Sequence, residues 1–144
     1  MKLLVINGPN INLLGVREPE IYGKETYKDL CRRVKEHCKK KKIKVKIIQS
    51  NYEGEIITEI QKAEKKFDGI VINPAGYTHT SIAIADAIKA VKLPCAEVHI
   101  SDIRSREDFR KHSFISPVSV KTVSGRGING YLEVIDFLEN SVLK

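Results

Sequence analysis

The sequence predicts an α/β domain in which helices cover both faces of a five-stranded parallel sheet. Short β-branched runs alternate with helix-periodic segments five times along the 144 residues. The first run, Lys2–Ile6, and the third, Gly69–Asn73, are mainly apolar, as expected for strands that are buried on both faces. This alternation favours parallel strands joined by right-handed helical crossovers. At this length, one domain over residues 1–144 is the simplest organisation.

The N-terminal third is predicted to form a strand, a long loop and a helix. Glycine and proline in Asn7–Asn10 end the first strand in a turn. The next segment, Ile11–Gly23, has no regular period, and loops of this length in compact domains are usually functional or disordered. Thr26 and Asp29 match a capping box at the start of a helix. The apolar stripe of that helix comprises Tyr27, Leu30, Cys31, Val34 and Cys38.

The central third repeats this order around a polar turn. Lys44–Gln49 alternates as the second strand. The helix that follows it has its apolar positions at Ile56, Ile60, Ala63 and Phe67. Proline stops the third strand, so Asn73–Thr80 forms a turn. The helix Ser81–Val91 comes next, and Thr78 or Thr80 is expected to cap it.

The C-terminal third is predicted to supply two strands and one helix. Cys95–Val98 is the fourth strand, and the polar segment His99–Ser116 that follows contains a helical turn at Arg106–Lys111. Val118–Val123 is the fifth strand, and Ser124 is expected to cap the last helix. That helix has its apolar face at Tyr131, Leu132, Ile135, Leu138 and Val142.

These elements fit a flavodoxin-like three-layer sandwich with strand order 2-1-3-4-5, in which ligands bind outside the carboxyl ends of the strands. The segments that converge there are Asn7–Asn10, Asn73–His79, His99–Arg110 and, above them, Ile11–Gly23. They hold the densest set of hydrogen-bonding side chains in the chain. Taken alone, the central turn fits an ordinary strand-to-helix connection with a surface histidine, His79, as well as it fits a functional site.

Composition and cysteine usage favour a cytoplasmic globular protein. Hydrophobic residues make up 42 % of the chain and charged residues 30 %. No apolar run approaches the roughly 20 residues of a membrane span, and the first residues lead into a strand instead of a signal peptide. Cys31, Cys38 and Cys95 form neither an even disulfide framework nor a Cys-x-x-Cys pair, which fits a reducing compartment.

The formal charge of +7 raises the question of nucleic-acid binding. Much of this charge comes from Arg32–Lys46, where Lys39–Lys42 bridges a helix end and the next strand. Lysines there favour the helix macrodipole, and no aromatic residues are interleaved for base stacking. We therefore expect no nucleic-acid partner, and a basic field that attracts an anionic metabolite instead.

One glycine motif resembles a dinucleotide fingerprint. Gly125–Gly130 matches G-x-G-x-x-G after a strand, but the fingerprint requires an acidic residue about 20 positions further on. The chain ends 14 residues after Gly130. A tight strand-to-helix turn is the better interpretation.

Longer motifs lie at the predicted strand ends and in the long loop. They are Ile6–Asn10, Leu13–Gly15, Arg17–Pro19, Tyr22–Gly23, Gln49–Asn51, Glu53–Glu55, Asn73–Thr80, Glu97–Ser101, Gly127–Ile128 and Gly130–Tyr131. In this order they make the whole chain resemble the type II 3-dehydroquinate dehydratases. The resemblance implies conversion of 3-dehydroquinate into 3-dehydroshikimate and water through an enolate, the third step of the shikimate pathway, without cofactor or metal. It also implies trimers assembled into a homododecamer.

The resemblance further implies catalytic roles. Removing a proton beside a ketone requires a base, and the family's base corresponds to Tyr22, with Arg17 as the cation that favours the phenolate. Asn10 corresponds to the residue that stabilises the enolate through an ordered water. His99, helped by Asn73, corresponds to the acid that protonates the departing hydroxyl. From the residues alone, a histidine that ends a buried strand is as often a satisfied core group.

Substrate contacts follow from the same resemblance. It implies that the substrate carboxylate binds the backbone N–H groups of Ile100 and Ser101 and the Ser101 hydroxyl. His79 and Arg110 correspond to residues that hold ring hydroxyls. Asp86 corresponds to a residue that reaches the site of a neighbouring subunit; alone, it fits the polar face of a helix.

Two supporting residues and two departures complete the comparison. By resemblance, Glu97 orients a histidine and Arg106 pairs with acidic groups across the loop. Ala85 stands where the family often has arginine, which puts the inter-subunit contacts in doubt. Asp102 stands where asparagine is usual, which adds negative charge near the carboxylate-binding turn.

The competing class is a non-catalytic flavodoxin-like module that binds a nucleotide or a partner. A flavin binder needs a hydroxyl-rich phosphate loop after strand one, and a receiver domain needs acidic residues there. Asn7–Asn10 has neither. A Schiff-base dehydratase needs a buried lysine at a strand end facing the site, and the sequence predicts none.

Overall fold

The computed structural model describes residues 1–142 and contains a five-stranded parallel sheet with the order β2-β1-β3-β4-β5. The strands are β1 (Lys2–Asn7), β2 (Lys44–Gln49), β3 (Gly69–Asn73), β4 (Cys95–His99) and β5 (Lys121–Ser124). The α-helices are α1 (Pro19–Tyr22), α2 (Tyr27–Lys40), α3 (Glu53–Ala63), α4 (Ile82–Ala90) and α5 (Asn129–Phe137), and a π-helical turn follows at Leu138–Val142. The predicted fold class and strand order are confirmed.

Alternate residues of each strand pack against opposite helical layers. Leu3 and Val5 of β1 belong to the core shared with α2 and α5, whereas Leu4 and Ile6 pack against α3 and α4. Because side chains alternate across a sheet, Asn7 at the end of β1 lies on the α2/α5 face. No helix in residues 1–142 is both long and apolar enough to cross a membrane.

Local signals explain where the helices begin. The capping box at α2 is confirmed: Thr26 Oγ1 accepts from the Asp29 backbone N–H at 3.1 Å, and the Thr26 N–H donates to the Asp29 carboxylate at 2.9 Å. At α4 the predicted caps are wrong. Ser81 is the cap, with its hydroxyl accepting from Ile84 N–H, because Ala75–His79 first forms a 3₁₀ turn that holds both Thr78 and His79 before the helix starts.

The region around β5 also differs from the prediction. Val118 belongs to a 3₁₀ turn, Ser116–Val118, since the proline at its centre cannot donate to a sheet ladder. Ser124 does not cap α5; its hydroxyl donates to the Ser101 carbonyl at 3.0 Å. The helix starts only at Asn129, after a turn that needs two glycines with positive φ.

Smaller differences concern element lengths. The aperiodic segment Ile11–Gly23 contains a 3₁₀ turn, Ile11–Leu13, and the short α1. α3 ends at Ala63, so Phe67 lies beyond it. The predicted apolar position Val142 has a side chain outside the described residues. The helical turn expected at Arg106–Lys111 is a 3₁₀ turn, Asp108–Arg110, preceded by another at Ile103–Ser105.

Candidate active site

The carboxyl ends of β1, β3 and β4 border a cavity of about 130 Å³. The predicted site residues that line it are Asn10, Arg17, Tyr22, Asn73, His79, His99, Ile100, Ser101, Arg106 and Arg110. The converging turns are therefore where the sheet topology places them. Glu97 lies behind the cavity wall, and Asp86 is exposed on α4 away from it.

The floor of the cavity depends on a close approach between the turns after β1 and β3. The Gly8 N–H donates to the Asn73 carbonyl at 2.8 Å. A Cβ atom at Gly8 would lie 2.6 Å from the Pro74 carbonyl oxygen, so only glycine fits. Asn10 then adopts a positive φ of 70°, and its backbone N–H donates to the Asn51 side chain at 3.2 Å. These contacts fix Asn10 at the rim.

Tyr22 ends the short helix α1 of the loop and is held by two arginines. Arg106 donates a hydrogen bond of 2.7 Å to the Tyr22 hydroxyl. The Arg17 guanidinium lies over the ring face, 4.8 Å from its centroid, and its Nε is 3.6 Å from the carboxylate of Glu18. The loop thus presents a phenol whose oxygen contacts one cation and whose ring contacts another.

This arrangement differs from the sequence prediction in one respect. The resemblance implies Arg17 as the cation beside the phenol; Arg17 lies over its ring, and Arg106 is the residue at its hydroxyl. Arg106 is predicted to pair with acidic groups across the loop, yet its contacts are Tyr22, the Ser101 hydroxyl at 3.5 Å and Glu107 at 4.0 Å. The sequence does not predict the contact between Arg106 and Tyr22, because the two residues are 84 positions apart.

His99 forms a buried pair with Glu97. Its Nε2 lies 2.6 Å from the Glu97 carboxylate, and His99 is 4 % exposed. The carboxylate, which is 0 % exposed, also accepts from the hydroxyls of Ser113 at 2.8 Å, Thr122 at 2.9 Å, and Ser116. This network places a hydrogen on Nε2 and leaves Nδ1 with no partner among the described protein atoms.

The same contacts determine the charge of Glu97. Burial on its own raises the pKa of the Glu97 carboxyl, but the hydrogen bonds from His99, Ser116 and Ser113 outweigh that effect and hold its pKa below the usual value. A buried, ionised carboxylate is tolerated only with such a set of donors. Glu97 is therefore a fixed negative charge behind His99.

The pKa of His79 is also lowered, and for a histidine this favours the uncharged ring. Burial lowers its pKa, and the nearby His99, Arg110 and Arg106 lower it further, against a raising effect of the backbone contact with His112. His79 Nδ1 lies 2.7 Å from the His112 carbonyl, so Nδ1 carries the hydrogen. At neutral pH the ring is neutral and its Nε2 is an acceptor.

The turn after β4 is pinned by the glycine turn before α5. Gly127 N–H donates to the Ile100 carbonyl and Gly125 N–H to the Ser101 carbonyl, both at 3.1 Å. Gly125 and Gly127 have φ values of 80° and 59°, which confirms the interpretation of this motif as a tight turn. Their role is to hold the segment that lines the cavity.

The cavity has a positive electrostatic character. Three arginines line it, and no carboxylate does so within the described part of the chain. Asp102 does not change this, because it is exposed, caps the turn Ile103–Ser105 through Arg104 N–H at 3.0 Å, and lies outside the lining. Ala85 is buried on α4. The site therefore suits a small anion.

Two residues behind the cavity, Asn7 and Tyr131, received no role from the sequence. Asn7 and Asn73 are register partners at the ends of β1 and β3, and the Tyr131 hydroxyl lies between their amides. The available signal was Asn7 itself, a polar residue that extends a buried strand. No pattern links it to Tyr131, 124 positions away.

A second concave region has fewer side chains suited to acid–base catalysis. An open concavity of about 820 Å³ lies along β5 and α5, but no histidine, cysteine or tyrosine lines it. Within residues 1–142 no group of three or more His, Cys, Asp or Glu side chains is placed to hold a metal ion.

Fold and site together define a flavodoxin-like α/β protein with acid–base side chains and arginines at the strand ends. The family model described as dehydroquinase class II matches residues 1–139. The chain belongs to this family, and the predicted resemblance is confirmed.

Relatives and solved structures agree with this assignment. A 3-dehydroquinate dehydratase of Clostridium acetobutylicum is 54 % identical over 144 residues, which is 100 % of each chain. One from Fusobacterium nucleatum is 52 % identical over 96 % of each chain. The crystal structure of the type II dehydroquinase from Butyrivibrio crossotus superposes with a TM-score of 0.96 and 50 % identity, covering 97 % of this chain and 98 % of that one.

Proposed function

We propose that this chain dehydrates 3-dehydroquinate to 3-dehydroshikimate as a hydro-lyase of the shikimate pathway, which leads to chorismate and the aromatic amino acids. The observation that carries the proposal is the pairing of a loop phenol with a guanidinium at 2.7 Å over a cavity that is also lined by a histidine held by a buried carboxylate. A base and an acid therefore face one small space. Family membership supports the substrate.

The first step assigns the base to Tyr22. Its oxygen removes the proton from the carbon beside the ketone, which leaves an enolate. For this the phenol must be ionised, and a guanidinium N–H on its oxygen makes a charge-assisted hydrogen bond to the phenolate. Arg106 supplies that bond, and Arg17 adds positive charge over the ring. Closure of the loop over bound substrate excludes water and aims the oxygen.

The second step requires stabilisation of the enolate oxygen. Asn10 lines the cavity, and its backbone is fixed by Asn51 and by its left-handed conformation. Its carboxamide supplies neutral, pre-organised hydrogen bonding, directly or through a water molecule. Such a contact stabilises the negative charge of the enolate without transferring a proton.

The third step assigns the acid to His99. His99 in its doubly protonated form donates its Nδ1 proton to the departing hydroxyl, which leaves as water, while Glu97 holds Nε2–H and fixes the ring. Asn73 lines the cavity beside this path and offers a further N–H. The enolate then collapses into the conjugated enone.

The remaining lining residues account for substrate orientation. The turn at Ile100 and Ser101 binds the substrate carboxylate, with the three arginines supplying the positive field. His79 accepts a hydrogen bond from a ring hydroxyl at Nε2, and Arg110 donates to another. Arg110 is itself oriented by Glu107 at 2.6 Å.

We further propose the cellular and quaternary setting. The protein forms a single domain, works in the cytoplasm and assembles trimers into a dodecamer, in which the exposed Asp86 of one subunit reaches the cavity of another. The mechanism above uses protein side chains alone, so no cofactor or metal is required. A non-catalytic flavodoxin-like module remains the alternative, and no contact in the site favours it.

The test is a rate assay on 3-dehydroquinate that follows the ultraviolet absorbance of the enone. Wild type is expected to turn over, and Tyr22→Phe to lose most activity while remaining folded. Tyr52→Phe is the matched control, because this tyrosine is 71 % exposed and does not line the cavity. Wild-type turnover in Tyr22→Phe would reject the base, and an inactive wild type would reject the substrate.

A further inference from the structure

The buried phenol of Tyr131 has no part in the steps above, yet it touches a residue that lines the cavity. Tyr131 is 0 % exposed, and its hydroxyl donates to Asn7 Oδ1 at 2.6 Å. The same oxygen accepts from Asn73 Nδ2 at 2.9 Å. One hydroxyl therefore joins the ends of the two central strands, β1 and β3.

The fold brings Tyr131 to this point by a specific close approach. Asn7 and Asn73 are register partners, and both side chains lie on the face covered by α2 and α5. Gly130 allows α5 to approach that face, since a Cβ atom there would lie 3.0 Å from Val98 Cγ2. The residue next to it, Tyr131, then reaches between the two amides.

These contacts leave Asn73 only one orientation. Its Oδ1 accepts from the Ala75 backbone N–H at 3.1 Å, and one Nδ2 hydrogen goes to Tyr131. Reversing the amide would set two donors against each other at Ala75. The second Nδ2 hydrogen is the hydrogen-bonding capacity that remains for the cavity, which Asn73 lines.

We propose that Tyr131 is a positioning residue that locks the Asn73 carboxamide so that its free N–H faces the substrate. This inference rests on the proposed dehydration of 3-dehydroquinate. Asn73 contributes a donor beside the departing hydroxyl: the Ala75 N–H fixes which end of the amide faces the cavity, and the hydrogen bond to Tyr131 holds the amide in that orientation. Burial raises the pKa of Tyr131, so the phenol stays protonated and continues to donate its hydrogen bond to Asn7 Oδ1.

Tyr131→Phe removes the lock and preserves the ring. We expect kcat to fall about tenfold, which corresponds to the contribution of one hydrogen bond. KM should change less than twofold, because the groups that bind the substrate are unchanged. Tyr27→Phe is the matched control. Its hydroxyl also belongs to this network, at 3.5 Å from Asn7 Nδ2, but does not touch Asn73, and kcat should stay within twofold of wild type.

A double-mutant cycle separates positioning from general loosening of the fold. In an Asn73→Ala background, Tyr131→Phe should cost no further kcat, since the amide that it orients is absent. An equal loss in both backgrounds would overturn the inference, and so would a wild-type kcat in Tyr131→Phe. An inactive wild type overturns the proposed function and this inference together.

A measurement on the unmodified protein covers the case in which Tyr131→Phe does not fold. In asparagine-labelled wild type, the side-chain amide of Asn73 should exchange its hydrogens more slowly than that of Asn51, which is exposed. Equal exchange rates would overturn the proposed lock.

Discussion

Glu97→Gln is the sharpest test of how a buried carboxylate supports His99, the proposed acid. The substitution keeps the shape of the side chain and removes the charge that Nε2 of His99 contacts at 2.6 Å. A hydrogen bond to a charged group contributes roughly 1.5–3 kcal/mol, and 1.4 kcal/mol corresponds to tenfold. If the bond acts mainly when His99 carries and releases its proton, kcat should fall roughly ten- to hundredfold.

The assay is the enone rate at saturating substrate, with KM measured alongside. KM should change little, because Glu97 is fully buried and does not line the cavity. Ser119→Ala is the control, since its hydroxyl donates to the Ile115 carbonyl next to the same segment without contacting Glu97. A kcat within twofold of wild type in Glu97→Gln would refute the role of this carboxylate.

The pH dependence of stability gives a second readout of the same residue. The pKa of Glu97 is held below its usual value of 4.5, so near that pH Glu97 binds fewer protons in the folded state than in the unfolded one. Its contribution is complete above about pH 4.5 and is lost as the pH falls through the lowered folded value. Denaturant titrations should show wild type losing more stability than Glu97→Gln below pH 4.5. Parallel losses would contradict this.

Two further predictions concern the phenol and the floor of the cavity. Arg106→Gln should lower kcat roughly ten- to hundredfold, because it removes the charge-assisted hydrogen bond to the Tyr22 phenol. Arg104→Gln is the control and should leave kcat unchanged, because Arg104 does not line the cavity. Equal rates in the two variants would contradict the proposed role of Arg106. Gly8→Ala should destabilise the protein by about 1–3 kcal/mol in thermal unfolding, because the new Cβ atom would lie 2.6 Å from a backbone carbonyl oxygen. Gly54→Ala in α3 is the control. It should be neutral or stabilising, because no atom lies within 4 Å of the added Cβ position.

The sequence predicts the sheet order and the walls of the cavity well, for a physical reason. Runs such as Gly69–Asn73 are apolar because strands covered on both faces must be, and parallel strands bring their carboxyl ends to one edge. Chain positions such as Asn10, Asn73 and His99 then become neighbours without knowledge of any distance. The order of the strands therefore brings these three residues to one edge of the sheet, where they line the cavity.

Contacts between side chains far apart in sequence are not predictable in the same way. The family resemblance implies Arg17, five positions before Tyr22 on the same loop, as the partner of that phenol. The hydroxyl instead meets Arg106, whose path depends on two consecutive 3₁₀ turns. Likewise, Ser81 caps α4 because a short 3₁₀ turn comes before the helix, which therefore starts later in the sequence. Helix propensity alone does not predict that later start.

The two layers of the sandwich support different parts of the chemistry. Asn73 is fixed from the α2/α5 face through Tyr131. Glu97 is the register partner of Ile72, whose side chain packs with α3 and α4, so Glu97 and His99 are fixed from the opposite face. His99, the proposed acid, and Asn73, the proposed neighbouring donor, therefore depend on separate hydrogen-bond networks. If so, the kcat losses of Tyr131→Phe and Glu97→Gln should combine independently, whereas variants within one network should not.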